Sequence, residues 1–323
     1  ANIRSVEFKT VNDYQTSIKY NELISDHPMK LSSSIIALST CIGTFTGCSA
    51  FTLQTPNRFS SSLGLTNNGK PDFDIFPGEY ESVIGRIDGG GTIKTCKLPK
   101  WATRVQYKVE SFGRPVKGTI ELWLGPGRST HTLKFDTEDG IEFPIESVLK
   151  FKNGHDGAPI MKVSTTDDYC FPMKFSASVP SPERALELEA NTEKVFYGAA
   201  KEDKLVIQGS QTDGKQGAWK YWNIPQEVDS IQMIGWSVDT GKKSFKVSCE
   251  LLQGPNNVKQ SLFLQCGGGS QPYHTILQTP GSGWVVRMQN KKFMEDGLIQ
   301  FAVLPYTKKD VEAKDLAAWS NHF

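Results

Sequence analysis

The strongest constraint on this chain is an internal repeat. Glu121-Leu122-Trp123-Leu124-Gly125-Pro126 returns as Glu250-Leu251-Leu252-Gln253-Gly254-Pro255, about 129 residues later, a period long enough for a whole small domain. Upstream, Leu98-Pro99 answers Ile224-Pro225. Downstream, Leu133-Lys134-Phe135 answers Leu262-Phe263-Leu264, and Phe143-Pro144-Ile145-Glu146-Ser147-Val148-Leu149 answers Gln271-Pro272-Tyr273-His274-Thr275-Ile276-Leu277. Ile160-Met161-Lys162-Val163 then matches Val285-Val286-Arg287-Met288, and Lys174-Phe175-Ser176-Ala177 matches Gln300-Phe301-Ala302-Val303. Strand pattern and turn residues recur while charges are exchanged, so the two copies share a fold rather than an active site.

Within the copies the period is two. From Thr103 to Glu110, Val105, Tyr107 and Val109 fall on one face and Arg104, Gln106, Lys108 and Glu110 on the other, the pattern of a half-buried strand. Asp88-Gly89-Gly90 reads as a hairpin turn, since glycine enters positive φ without a side-chain clash. Gly125-Pro126-Gly127, Glu138-Asp139-Gly140 and Asn153-Gly154 separate further short strands with no helices between them, which predicts antiparallel rather than parallel sheets. The one convincing internal helix starts at Pro182, with Ser181 as cap. The prediction is an all-β chain of two tandem antiparallel β-sandwich domains, with an extended N-terminal arm and a short helix after each sandwich. The boundaries are an arm over 1–75, copy 1 over 76–180, a linker helix over 181–194, copy 2 over 195–306 and a C-terminal helix or tail over 307–323.

Residues 1 to about 28 are polar without a sustained period, as in an arm that orders on a partner. Met29 to Phe51 has a basic start, a short apolar centre and small residues before Phe51. It reads either as a targeting segment or as a retained tether, the reading favoured here, and is too short and polar for a membrane span. The protein is therefore expected to be peripheral to a membrane, not inserted in one. At 323 residues with 36 Lys+Arg against 35 Asp+Glu, the chain has room for two cores and no general charge for nucleic acid. Six cysteines without a CxxC pair offer neither a zinc knuckle nor a thioredoxin-like motif. Cys249 belongs to the inward series Phe245, Val247, Leu251, and with no Asn-x-Ser/Thr sequon a reducing compartment is expected.

Motifs for chemistry are weak. Gly209-Ser210-Gln211-Thr212-Asp213-Gly214-Lys215-Gln216 nearly spells a phosphate-binding loop, but Gln216 stands where a hydroxyl should bind magnesium, and a hairpin loop is the better reading. The five histidines are isolated from other metal ligands in sequence, and no Gly-x-Ser-x-Gly elbow occurs. No catalytic, metal or cofactor residues are assigned; the acidic residues leave a hydrolase, with a carboxylate pair in one copy, as a third possibility. Aromatic residues say more. Trp219, Tyr221 and Trp222 crowd one short strand, with Trp219 and Tyr221 on one face and Trp222 on the other, an arrangement expected to leave at most one exposed. These three, with Phe45, Phe51 and Phe59 of the arm, are the candidate partner-binding residues.

The Glu-Leu-(Trp/Leu)-x-Gly-Pro repeat with its downstream Pro-(Ile/Tyr)-x-(Ser/Thr)-(Val/Ile)-Leu strand resembles the β-sandwich plastid proteins of red algae and of algae with red-derived plastids, over about residues 76 to 306. The small-residue run ending Ser49-Ala50-Phe51 is similar to plastid-targeting segments of those lineages. The resemblance implies a non-enzymatic structural protein among the colourless rod- and linker-stabilising proteins of the phycobilisome. It further implies phycobiliproteins and linker proteins as partners, a place in the plastid stroma at the stromal face of the thylakoid, and no bilin or other cofactor. The alternative from the residues alone is a tandem carbohydrate-binding protein, for which paired sandwiches and tryptophans are equally natural.

Overall fold

In the computed structural model, which describes residues 69–76, 85–125, 127, 129–152, 157–168, 170–209, 219–237, 244–268, 270–291 and 297–309, each copy contributes eight strands. Copy 1 holds β1 (Gly85–Ile87), β2 (Ile93–Lys97), β3 (Arg104–Glu110), β4 (Val116–Trp123), β5 (Ser129–Thr137), β6 (Ile145–Lys150), β7 (Ile160–Thr165) and β8 (Met173–Ser178). After α1 (Pro182–Gly198), copy 2 holds β9 (Lys204–Gly209), β10 (Trp219–Asn223), β11 (Val228–Ser237), β12 (Phe245–Gln253), β13 (Val258–Cys266), β14 (Tyr273–Gln278), β15 (Trp284–Asn290) and β16 (Gly297–Lys308). They form two antiparallel sheets, ordered β1-β8-β3-β6-β14-β11-β16-β9 and β10-β15-β12-β13-β5-β4-β7-β2. Each order reads the same from both ends once a strand of copy 1 is exchanged for its counterpart in copy 2. The all-β sandwich is thus as predicted, with the copies joined edge to edge in both sheets.

The registers place the pseudo-twofold axis. In one sheet Leu262 lies opposite Phe135 and Leu264 opposite Leu133, equivalent pairs under the repeat, while Lys134 faces Phe263, its own counterpart. In the other sheet Thr275 faces its counterpart Ser147, whose Oγ donates to Thr275 Oγ1 at 3.0 Å. The axis runs through these two self-paired positions. The inner faces merge into one hydrophobic core that reaches from Ile87 and Met173 in copy 1 to Met288 and Phe301 in copy 2. A strand edge left open presents unpaired N–H and C=O groups, and fusion covers β5 and β6 with β13 and β14.

The outer face of the first sheet is covered as well. Ser181 Oγ accepts from the Arg184 N–H at 3.3 Å, and Pro182 occupies the first turn of α1. The helix runs to Gly198, one turn beyond the predicted end, because Val195, Phe196 and Ala199 pack on Ile234, Trp236, Ala302 and Leu304. Leu188 joins Ile75, Val148, Ile276 and Tyr306. Arg104 and Gln106, on the polar side of β3, are therefore buried. The end of the predicted arm is docked here. Tyr306 Oη accepts from the Ile75 N–H at 3.1 Å, the Gln106 amide donates to the Ile75 carbonyl, and the Arg184 guanidinium lies 4.1 Å from the Phe73 ring centroid. Residues 1–68, with Phe45, Phe51 and Phe59, lie outside the described residues; so does the predicted C-terminal helix beyond Lys309.

One local expectation is corrected. Asp88-Gly89-Gly90 does not close a hairpin, because β1 pairs with β8 in the first sheet and β2 with β7 in the second. Ile87 enters the core beside copy 1's β8, so the chain must cross between sheets before β2 begins. Gly90 and Gly91, at φ +72° and +74°, make that crossing, and a side chain on Gly91 would collide with the Asp167 carboxylate. Nor does Gly209–Gln216 close a hairpin, since β9 and β10 belong to different sheets; residues 210–216 themselves lie outside the described residues.

Gly235 of β11 supplies a direct test of the core. It lies opposite Phe301 of β16, and an added Cβ would enter the Phe301 ring, with Cδ1 only 2.6 Å away. Phe301 is fully buried and meets Phe245 edge-on at 5.6 Å, so it has no free space to enter. Gly235→Ala is expected to destabilise the fold by about 1–3 kcal/mol, the overpacking range, which outweighs the ~0.4–1 kcal/mol gained by restricting the unfolded chain. The measurement is the urea midpoint at unchanged slope.

Candidate functional site

The repeated glutamates hold equivalent ion pairs on the outer face of the second sheet. Glu121 of β4 faces Lys162 of β7, with Oε2 2.9 Å from Nζ. Glu250 of β12 faces Arg287 of β15 and accepts from its Nε at 2.5 Å. Lys162 and Arg287 are counterparts in the repeat, so these charges are retained where most others exchange. Partly exposed pairs of this kind contribute at most about 1 kcal/mol each; their effect is to fix where the cations stand.

Arg287 stands beside the exposed aromatics of β10, the edge strand. Trp219 and Tyr221 point outward and are 39% and 54% exposed, whereas Trp222 points into the core at 5%. The alternation is as read from the sequence, but both outward rings are exposed instead of one. Tyr221 is in register with Arg287 and Trp219 with Gln289. The Arg287 guanidinium lies 5.2 Å from the Trp219 centroid and the Lys291 ammonium 5.7 Å, within the range of cation–π attraction. The result is an aromatic platform framed by cations. In copy 1 the corresponding strand β2 reads Ile93-Lys94-Thr95-Cys96-Lys97, so the platform belongs to one copy alone.

On the opposite broad face, Arg104, Lys150, Glu189, Glu193, Tyr197, Trp236 and Pro272 line a cleft of about 130 Å³ between α1 and the first sheet. That is well below the ~300 Å³ at which ligand pockets begin. Arg104 Nη2 is 3.5 Å from Glu189 Oε2. Burial lowers the Arg104 pKa against the pull of Glu189; burial works against ionisation of Glu189, yet Lys150 and Arg104 hold its carboxyl below the usual value.

The fold also gathers residues that look isolated in sequence. His131 of β5 lies opposite Cys266 of β13, with Nδ1 3.3 Å from Sγ and Nε2 3.3 Å from Tyr107 Oη. Tyr273 Oη is 2.7 Å from Ser147 Oγ on the axis. All of this is sealed in the core. Burial pushes the Cys266 thiol and the Tyr107 phenol up, Tyr273 up to about 12, and His131 down to about 3. Every member is neutral near pH 7, so the cluster holds neither a thiolate nor a charged base, and solvent does not reach it. Among the described residues no group of three or more His, Cys, Asp or Glu could hold a metal ion, and no helix is long and apolar enough to cross a membrane.

Comparison with known proteins adds one firm result. No curated protein matches the chain. Among solved structures, a mutant oxalate decarboxylase of Bacillus subtilis is similar at 9% identity over 70% of this chain and 67% of that one, with a TM-score of 0.16. The formate complex of Lactobacillus farciminis oxalate decarboxylase is similar at 11% identity over 76% and 95%, with a TM-score of 0.17. Likeness that low carries no argument about fold or chemistry. The family model described as "Diatom pyrenoid shell protein" matches residues 80–305, both copies with the helix between them, and the chain belongs to that family.

Proposed function

We propose that this chain is a non-enzymatic structural subunit of a protein shell in the plastid, built by association of its fused sandwich with further copies. The observation that carries this is the match over residues 80–305, the region in which the two copies share one core. Pyrenoids are plastid bodies, which agrees with the plastid location implied by the resemblance. A rigid body with an exposed aromatic platform on one face and a helix on the other is suited to making repeated contacts. Bridging of phycobiliproteins and linkers at the thylakoid is the same kind of role with a different neighbour.

The deciding experiment is cross-linking mass spectrometry on intact plastids, combined with imaging of a fluorescent fusion. Links between copies of this chain, with fluorescence outlining the pyrenoid, are the expected result. Links to phycobiliproteins would favour the antenna role, and a diffuse, unlinked protein would overturn both. The exposed Trp219 and Tyr221 favour one second reading, sugar stacking. Saturable binding of a soluble oligosaccharide that Trp219→Ala abolishes would bring that reading forward.

A further inference from the structure

The outward ridge of α1 carries another pair of exposed apolar side chains. Leu186 and Tyr197 are 68% and 67% exposed, and Ala190 and Glu193, also exposed, continue the row between them at i+4 and i+7. Residues at these spacings stand on one side of a helix. Glu183 and Glu187 are exposed beside the row near its start, Glu187 paired with Arg184, and Lys194 is exposed beside it near its end; with Glu193 in the row itself, acidic charge is in excess around Leu186 and Tyr197. The platform of β10 is aromatic and bordered by Lys291 and by Arg287, the latter already paired with Glu250, so its excess charge is basic. From Leu186 to Tyr197 the ridge spans about 16 Å at the helical rise; Trp219 and Tyr221 stand about 7 Å apart at the strand rise, so the platform covers part of the ridge. Ala190 has the smallest side chain of the row, so a partner can approach the helix most closely there.

These two surfaces lie on opposite broad faces, since α1 covers the outside of the first sheet while Trp219 and Tyr221 stand on the outside of the second. We infer that the Trp219/Tyr221 platform of one molecule docks on the Leu186–Tyr197 ridge of a second copy. The contact is heterologous: each molecule keeps one free ridge and one free platform, so the association propagates and does not close at a dimer. This rests on the shell reading and names one contact within it, the one that joins copies in a single direction.

The test uses the full chain with two exposed double substitutions. Trp219→Ser with Tyr221→Ser removes the platform, and Leu186→Lys with Ala190→Lys sets cations on the ridge without lowering helix propensity much. Unchanged thermal midpoints establish that both variants fold. In sedimentation velocity each variant alone is expected to stay monomeric to at least about tenfold above the concentration at which the parent assembles, as for loss of hot-spot residues. Mixed one to one, the variants are expected to form a heterodimer and nothing larger, because only one intact ridge and one intact platform can meet. A parent that assembles with either variant still assembling alongside it overturns the inference and leaves the shell reading standing. Loss of assembly in both variants with no heterodimer on mixing also overturns it. A parent that stays monomeric overturns the shell reading itself.

Discussion

Lowering the pH from 7 to 5 is expected to remove about 4 kcal/mol of folding stability, before any carboxylate reaches its ordinary pKa. His131 and His274 are fully buried, and burial depresses each to about 3, with the Arg104 charge adding to the effect at His274. The unfolded chain takes up these protons near the ordinary 6.5, so the folded state is at full strength above 6.5 and weakens as pH falls from there toward 3. At pH 5 the deficit is about 2 kcal/mol for each histidine, from 1.36 kcal/mol per pH unit. The carboxylates with shifted values, Asp168, Glu183 and Glu189, are all held below their ordinary range and titrate outside this window. His274 contacts Thr192 of α1 through Nδ1 at 3.4 Å and Gln232 through Nε2 at 3.2 Å, so its protonation loosens the helix from the sheet. The control comes from the chain itself. Gln260 is the counterpart of His131 in copy 2, and its amide donates to the Phe143 carbonyl at 3.1 Å. His131→Gln should therefore be accommodated at neutral pH at a cost of about 1–2 kcal/mol, and should halve the loss between pH 6.5 and 5. Urea midpoints measured at half-unit pH steps check both statements; a flat profile across the window would show that these imidazoles are not held neutral.

The sequence made the repeat, the all-β class and the face of most residues legible, and the limits have identifiable causes. Alternation tells which face a side chain takes, not which strand lies alongside. β5 and β6 read the same whether they are sheet edges or seams, so the joining of the copies through Lys134–Phe263 and Ser147–Thr275 could be seen only in the registers. For the same reason Asp88-Gly89-Gly90 reads as a hairpin turn, although β1 and β2 belong to opposite sheets. Arg104 and Gln106 looked solvated because polar residues on alternate positions normally are; α1 and residues 69–76 cover them. Trp222 takes the face opposite Trp219 and Tyr221, as the alternation requires, and its burial in the core removes it from the candidate partner-binding residues. Whether those two rings were exposed depended on what covered β10, which no local pattern records. His131 and Cys266 are 135 residues apart, and the repeat contained the one hint: their counterparts Gln260 and Thr137 form the matching pair at the other end of the seam.

The second large effect is expected from cutting the chain between Lys201 and Glu202, in the exposed turn that separates α1 from β9. Separating the halves exposes Leu133, Phe135 and Leu149 on one side of the seam and Leu262, Leu264 and Tyr273 on the other, all within the shared core. At about 1.5–3 kcal/mol per buried side chain, that loss is on the order of 10 kcal/mol, comparable to the whole stability of a typical domain. The second fragment also loses α1 from Ile234, Trp236, Ala302 and Leu304. Co-expressed fragments are therefore expected to recover a one-to-one complex with the parent's circular dichroism spectrum, while neither alone is a folded monomer. The axis further distinguishes the two when each is left to pair with itself. A dimer of the second fragment brings Phe263 against Phe263, a favourable cross-strand pair, whereas a dimer of the first sets Lys134 against Lys134, and like charges directly opposite are destabilising. Sedimentation should accordingly show self-association of the second fragment at lower concentration than the first. Two folded monomers would mean that each copy holds a sufficient core of its own; dependence of each on the other would make the seam, rather than either copy, the source of the rigidity a shell subunit requires.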